Sequence, residues 1–168
     1  LALTAMRLIG ENLRQAASSD HNAEATERML IASTVAGMGF SQTRVGNAHA
    51  MSHAVGGHFG VPHGLANAIL LTRVMAFNMI ACPRKFAEIA KALGEPVAGV
   101  TEMEAAERSV AAVRRLARDV GIPDGLAEVG VPTRAIPALA EDAMKSGNVL
   151  INPRRTRIED IVDIFERS

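Results

Sequence analysis

The residues of this chain best suited to chemistry are its histidines, and four of the five lie in one short stretch. These four are His49, His53, His58 and His63. Neutral imidazole nitrogens bind first-row divalent metals, and imidazoles also exchange protons near neutral pH. The cluster therefore indicates a metal site or a site of proton transfer. The fifth histidine, His21, lies among Ser, Asp and Asn residues and is expected to be solvated.

The spacing of the histidines suggests how they could meet. His49 and His53 are four residues apart, which places two side chains on one face of a helix, about one turn from each other. A glycine-rich stretch separates them from His63, which is expected to begin a long apolar helix. A histidine on one helix and another at the start of its neighbour can converge on one point. The alternative is ordinary core or surface histidines, and spacing alone does not choose between the two.

The metal interpretation has one weakness, which is the lack of a carboxylate partner. The nearest acidic residues upstream of His49 are Asp20, Glu24 and Glu27, and nothing in the sequence brings them to it. Two histidines are too few for a catalytic metal, which usually has at least three protein ligands and an open position.

The amino-acid composition indicates which type of secondary structure positions these histidines. The 168 residues fit one domain, or at most two small ones, and 48% are hydrophobic, an ordinary globular share. Aromatic residues make up only 3%, with no Trp or Tyr, so the core must consist of Ala, Leu, Ile, Val and Met. Ala, Leu and Met favour helix over sheet because they lose little rotamer freedom in a helix.

Charge and cysteine content exclude some classes of function. The 18 basic and 18 acidic residues give zero net charge, which argues against a nucleic-acid partner. The single cysteine, Cys82, cannot form an internal disulfide, so a cytoplasmic location is expected. No apolar run approaches the 18 or more residues that a membrane-spanning helix requires, so no membrane partner is expected.

Apolar periodicity and turn residues predict an all-α fold, a bundle of about eight helices in a single domain over residues 1–168. No alternating run indicates a strand. Thr101 and Glu104 have the form of a capping box at a helix start, and Thr133 is expected to cap a later helix. The predicted helices are 1–12, 23–37, 48–55, 63–78, 84–93, 101–120, 134–145 and 157–168. The predicted interruptions are a break or bend at Gly37–Phe40, the turn Gly56–Pro62 and an extended loop over Asn148–Pro153.

The stretch Gly46–Leu71 resembles the signature of the iron-containing (group III) alcohol dehydrogenases. It has a His, a second His four residues on, a glycine-rich turn, then Pro-His-Gly and an apolar helix. Phe77-Asn78 and Asn152-Pro153-Arg154, before a last amphipathic helix, also fit that family. The resemblance therefore extends over nearly the whole chain and implies the family's helical C-terminal domain, which is similar in fold to dehydroquinate synthase.

The resemblance implies roles for individual residues. His49 and His63 match two of the family's four metal ligands, for Fe²⁺ or Zn²⁺. His53 matches the histidine close to the nicotinamide and the substrate, so it is a candidate for both catalysis and cofactor binding. Phe40 falls where the family often has an aromatic residue of the substrate pocket. The implied reaction interconverts a small alcohol and an aldehyde by metal-assisted hydride transfer to NAD(P).

The resemblance also shows what this chain lacks. The family's other two ligands, an Asp and a His four residues apart, lie upstream of the segment that begins here, as does the N-terminal nucleotide-binding domain. No Gly-x-Gly-x-x-Gly sequence occurs in the chain. The chain alone is therefore expected to be inactive, to bind NAD(P) poorly, and to hold a metal weakly or not at all.

Other interpretations stay open at this stage. Maleylacetate reductases and glycerol dehydrogenases are neighbours within the same superfamily. A free-standing, non-catalytic helical module for binding or assembly is an alternative of another class, and its exposed apolar faces would favour a homo-oligomer. A generic helical protein with incidental histidines is the third interpretation. The sequence does not choose the substrate, nor iron over zinc, nor NAD over NADP.

Overall fold

The protein is all-α. A computed structural model describes all residues from 1 to 168 and contains nine α-helices, two short 3-10 helices and no strand. This confirms the predicted all-α fold of about eight helices. None of the helices combines the length and hydropathy needed to cross a bilayer. The helices are α1 Ala2–Ser18, α2 Ala23–Thr43, α3 Asn47–Phe59, α4 His63–Met79, α5 Pro83–Ala92, α6 Glu102–Asp119, α7 Ile136–Met144, α8 Gly147–Leu150 and α9 Ile158–Glu166.

The chain divides into two compact units, each built from two separate stretches. The first unit comprises residues 1–43 and 82–121, and the second comprises residues 44–81 and 122–168. The single helical domain expected over residues 1–168 stays a prediction.

The first unit consists of α1, α2, α5 and α6, with α1 against α2 and α5 against α6. Alanine dominates its buried positions, and small side chains let helix backbones approach closely. The capping box at the start of α6 is confirmed: the Thr101 hydroxyl accepts from the Glu104 backbone N–H at 3.2 Å, and the Glu104 carboxylate accepts from the Thr101 N–H at 2.7 Å. The buried alanines are Ala5, Ala25, Ala32, Ala87, Ala90, Ala105, Ala106 and Ala112.

The second unit has one apolar core, and the histidine cluster belongs to this unit. Helix α3 packs against α4 and α7, and α9 packs against α4 and α7. Aliphatic side chains fill the space between these helices, with Phe165 as the one aromatic residue among the fully buried ones. Further members of the core include Met51, Val55, Ile69, Leu70, Leu139 and Ile161.

Two predicted helix breaks are wrong. Helix α2 continues through Gly37–Phe40 to Thr43. Its Gly39 lies beside the start of α1, where an added Cβ would make ordinary van der Waals contact with the Leu1 Cβ at 3.7 Å. Helix α3 likewise continues past Val55 to Phe59, so most of the predicted turn Gly56–Pro62 is helical. Only Gly60 has a left-handed backbone conformation (φ +66°), and the helix ends there.

Two predictions in the last third of the chain are also wrong. Thr133 does not cap a helix; it begins a 3-10 turn, Thr133–Ala135, and α7 starts only at Ile136. Gly147 begins the short α8, where the sequence predicts a loop from Asn148. The Ser146 hydroxyl accepts from the Asn148 N–H at 3.3 Å and so caps α8, which replaces the first part of the predicted extended loop.

Candidate metal centre

Helices α3 and α4 are neighbours in the second unit, and between them they carry the four clustered histidines. The chain reverses at Gly60, whose N–H donates to the Gly56 carbonyl at 2.9 Å. His63 is the first residue of α4. The reversal therefore brings the start of α4 beside the face of α3 that carries His49 and His53.

Three of the imidazole rings form one cluster. The ring centroids of His49 and His63 are 5.2 Å apart with the planes tilted by 59°, and those of His49 and His53 are 6.2 Å apart. The rings of His53 and His63 are 5.0 Å apart and nearly parallel, at 28°. Near-parallel rings present their faces to each other, whereas metal-binding lone pairs lie in the ring planes. Of the two pairs that include His63, the tilted pair His49–His63 therefore has the geometry better suited to two ligands of one ion.

The electrostatic environment favours a neutral ring at His49. Partial burial lowers the pKa of His49 below its ordinary value, and the neighbouring His63 and His53 lower it further. A neutral imidazole is the form that binds metals. His53 and His63 are more exposed than His49. They lie on the solvent side of the cluster, where a ligand can reach them.

Two polar residues that the sequence analysis did not single out contact His63. Ser52 is fully buried; its hydroxyl donates to the His49 carbonyl at 3.1 Å and lies 3.3 Å from His63 Nδ1. The Asn67 side-chain nitrogen lies 3.0 Å from His63 Nε2 and 3.3 Å from His63 Nδ1, so it stands against the ring, and it donates to the His63 carbonyl at 3.0 Å. The sequence could have predicted the contact with Asn67, because this residue follows His63 by four positions and so shares its helix face.

A group of three buried asparagines and one half-buried threonine, which we name the polar anchor, joins the ends of α3 and α4. It consists of Asn47, Asn78, Asn152 and Thr156. Asn152 Oδ1 accepts from the Asn47 backbone N–H at 3.2 Å and from Asn78 Nδ2 at 3.1 Å. Asn152 Nδ2 donates to Asn78 Oδ1 at 2.7 Å, and Asn47 Nδ2 donates to Thr156 Oγ1 at 2.9 Å.

The polar anchor caps the helix that carries the histidines. The N–H groups in the first turn of a helix have no partner within that helix. Asn47 is the first residue of α3, and Asn152 satisfies its N–H from a distant part of the chain. Arg154 adds a further link, since its guanidinium donates to the Phe77 carbonyl at 3.0 Å and lies over the Phe77 ring.

Three other residues considered in the sequence analysis lie outside the cluster of three imidazole rings. His58 points away from the ring cluster, and its Nε2 contacts the Asp142 carboxylate on α7 at 2.6 Å. His21 is exposed in the loop between α1 and α2, as expected. Phe40 lies on α2 in the first unit and is 54% exposed; its place in a substrate pocket stays a prediction.

The donor set fits part of a transition-metal site. Two imidazoles from neighbouring helices, one of them with a pKa lowered by burial, are suitable ligands for iron or zinc. No group of three or more His, Cys, Asp or Glu side chains in the structure is arranged to hold a metal ion.

The sequence is similar to those of known alcohol and aldehyde oxidoreductases over nearly its whole length. The chain is 45% identical over 167 residues to 1,3-propanediol dehydrogenase of Klebsiella pneumoniae, which covers 99% of this chain and 43% of the relative. It is 41% identical over 165 residues to lactaldehyde reductase of Escherichia coli K12, covering 98% of this chain and 43% of that protein. The chain thus spans less than half the length of these relatives.

The fold matches solved structures equally well. A 1,3-propanediol oxidoreductase superposes with a TM-score of 0.96 at 45% identity, over 98% of this chain and 43% of the other. An alcohol dehydrogenase from Oenococcus oeni superposes with a TM-score of 0.94 at 40% identity, again over 98% of this chain and 43% of the other. The model of the Fe-containing alcohol dehydrogenase family, C-terminal, matches residues 1–168. The chain therefore belongs to the iron-containing alcohol dehydrogenase family, of which it represents the helical C-terminal part.

Proposed function

We propose that this chain is the metal-binding half of an NAD(P)-dependent alcohol dehydrogenase, and that it interconverts a small alcohol and its aldehyde when complete. The convergence of the His49 and His63 rings, 5.2 Å apart on two helices, carries the proposal. Names of relatives support the substrate class, since they include a 1,3-propanediol dehydrogenase, an NAD-dependent methanol dehydrogenase and a lactaldehyde reductase.

His49 and His63 supply two ligands for a divalent iron or zinc ion in this proposal. When bound, such an ion acts as a Lewis acid that stabilises negative charge on the alcohol oxygen during hydride transfer. The other ligands and the nucleotide-binding domain come from residues outside this chain. This chain matches only 43% of the length of the 1,3-propanediol dehydrogenase and of the lactaldehyde reductase, which is consistent with further residues that supply the other ligands and the nucleotide-binding domain.

His53 is the candidate for proton transfer. It lies one turn after His49 on α3, and its exposed ring stands beside that of His63. A ring nitrogen of His53 can take the proton of the alcohol and pass it to water, because imidazole titrates near neutral pH. Phe40 is proposed to contact the substrate through its exposed ring.

The test is the steady-state rate of NAD(P)-linked oxidation of 1,3-propanediol and similar short alcohols by the protein expressed from its native gene. We expect His63→Ala to lower kcat/KM by more than about 100-fold, since even changes outside the ligand shell cost 10- to 100-fold. His21→Ala is the matched control, because that ring is exposed in a loop, and it should leave the rate unchanged. Equal activity in the His63 and His21 variants would disprove the proposed role of His63.

A further inference from the structure

The side-chain amide of Asn67 lies over one face of the His63 ring. Its nitrogen is 3.0 Å from Nε2 and 3.3 Å from Nδ1. An atom in the plane of the ring that was this close to both nitrogens would overlap a ring carbon. The amide nitrogen therefore lies out of the plane, and it leaves the in-plane lone pairs of the ring uncovered.

The amide is held in this place by the backbone of its own helix. Its nitrogen donates to the His63 carbonyl, four residues back on α4, at 3.0 Å. The reverse orientation of the amide would put Oδ1 against that carbonyl oxygen, so the nitrogen is the atom that faces the ring. An N–H group over an aromatic face contributes little energy by itself. The contact therefore acts mainly through the space that the amide fills.

The amide limits rotation of the His63 ring. The outer torsion of a histidine side chain has broad preferences, so covalent geometry alone does not fix the plane of the ring. His63 is also exposed at the start of α4, so packing on its solvent side does not fix it either. Turning the ring about its Cβ–Cγ bond would drive one ring edge into the amide. Ser52 Oγ, 3.3 Å from Nδ1, limits the ring at an edge.

The plane of the ring matters for metal binding, because the lone pairs lie in that plane. The rings of His49 and His63 have centroids 5.2 Å apart and are tilted by 59° to each other. Any turn of the His63 ring changes this relation and the direction of its lone pair. A ligand that is held in its binding orientation beforehand loses less conformational freedom when the metal binds.

We propose that Asn67 is a positioning residue, which holds the plane of the His63 ring so that its lone pair stays directed for metal binding. This inference rests on the proposed role of His63 as a ligand. The Oδ1 atom of Asn67 is buried without a hydrogen-bond partner, which costs stability. The contact with His63 therefore explains this side chain better than a contribution to the stability of the fold does.

The first test is a side-chain NMR spectrum of the metal-free chain, labelled with ¹³C and ¹⁵N. The ring current of an imidazole shifts protons above its face upfield. One Asn67 Hδ2 proton should therefore be shifted upfield and should show a nuclear Overhauser effect to His63 Hε1. His63→Ala should abolish both signals. Absence of the Overhauser effect in the parent chain would overturn the inference, whatever any variant does.

The second test is the order parameter of the His63 Cδ2–Hδ2 bond, obtained from ¹³C relaxation of the metal-free chain. It should be near the rigid value of about 0.85 in the parent and below about 0.6 in Asn67→Ala. Asn12→Ala is the matched control: Asn12 is also half-buried and donates to a carbonyl four residues back at 2.8 Å, without a histidine partner. A ring that stays equally rigid in Asn67→Ala would overturn the inference.

The third test is the Zn²⁺ affinity of the protein expressed from its native gene. Loss of a group that orients a ligand typically weakens metal binding 10- to 100-fold. We expect the Kd for Zn²⁺ to rise by about that factor in Asn67→Ala and to stay unchanged in Asn12→Ala. An unchanged Kd in Asn67→Ala would overturn the positioning role. The two NMR tests need no metal, so their outcomes are independent of whether the protein oxidises alcohols.

Discussion

A methyl group added at Gly46 should break the polar anchor that caps α3. A Cβ at this position would lie 2.8 Å from Asn152 Oδ1, so the Asn152 side chain would have to move. Its Oδ1 would then leave two buried donors, the Asn47 N–H and Asn78 Nδ2, without their acceptor. Each unsatisfied buried group costs about 1–3 kcal/mol, and the stiffer unfolded chain returns about 0.4–1 kcal/mol. The net loss for Gly46→Ala is therefore about 1–5.5 kcal/mol.

Urea denaturation followed by circular dichroism measures this loss as a fall in the free energy of unfolding. Gly57→Ala is the matched control on the same helix, because a Cβ there meets nothing within 4 Å. Alanine is the better helix former, so this control should gain about 0.5–1 kcal/mol. The two glycine substitutions thus have opposite predicted signs.

A double-mutant cycle with Asn152→Ala isolates the cause. Asn152→Ala alone removes the same acceptor and should cost a similar amount. In that background the atom that clashes with the new methyl group is gone, so Gly46→Ala should cost less than about 0.5 kcal/mol. Additive costs in the double variant would refute the reasoning, and so would a Gly46→Ala protein as stable as the parent.

Three further predictions concern stability. Phe165→Ala should lower the free energy of unfolding by about 3–5 kcal/mol, whereas Leu150→Ala, at a position 88% exposed, should change it by less than about 0.5 kcal/mol in urea denaturation. Thr101→Ala should cost about 1 kcal/mol by removing the hydroxyl that caps α6, and an undiminished urea midpoint would contradict this role. Hydrogen bonds from the Thr101 backbone and hydroxyl hold the pKa of Glu104 below its ordinary value. This carboxylate therefore stabilises the fold at pH above about 4.3, and the contribution disappears as the pH falls through the lowered pKa. A Glu104→Gln protein should lose less stability than the parent between pH 7 and pH 3, as measured by urea midpoints.

The fold could be predicted from the sequence where periodicity and local capping decide it. The long helix from His63, the helix opened by Pro83 and the Thr101 capping box all depend on residues within one or two turns. The wrong breaks at Gly37–Phe40 and Gly56–Phe59 have a common cause. A glycine within a helix costs only about 1 kcal/mol relative to alanine, and packing of the flanking residues outweighs that cost.

The candidate site could be predicted only in part. The histidine spacing indicates that His49 and His53 share a helix face, and the structure places His63 beside them. The residues that support them could not be found in this way. Asn152 caps α3 from 105 positions away in sequence, and no local pattern reports such a contact. The contact between Ser52 and His63 could not be predicted either, since it depends on how α3 and α4 pack.

The most direct test of the proposed metal site is the metal content of the protein expressed from its native gene, measured by inductively coupled plasma mass spectrometry. We expect a stoichiometric amount of a transition metal in the parent protein and in His21→Ala. We expect that metal to be lost in His49→Ala and in His63→Ala, because each removes one imidazole of the pair. Metal retained in both of these variants would contradict the central claim that the two rings bind one ion.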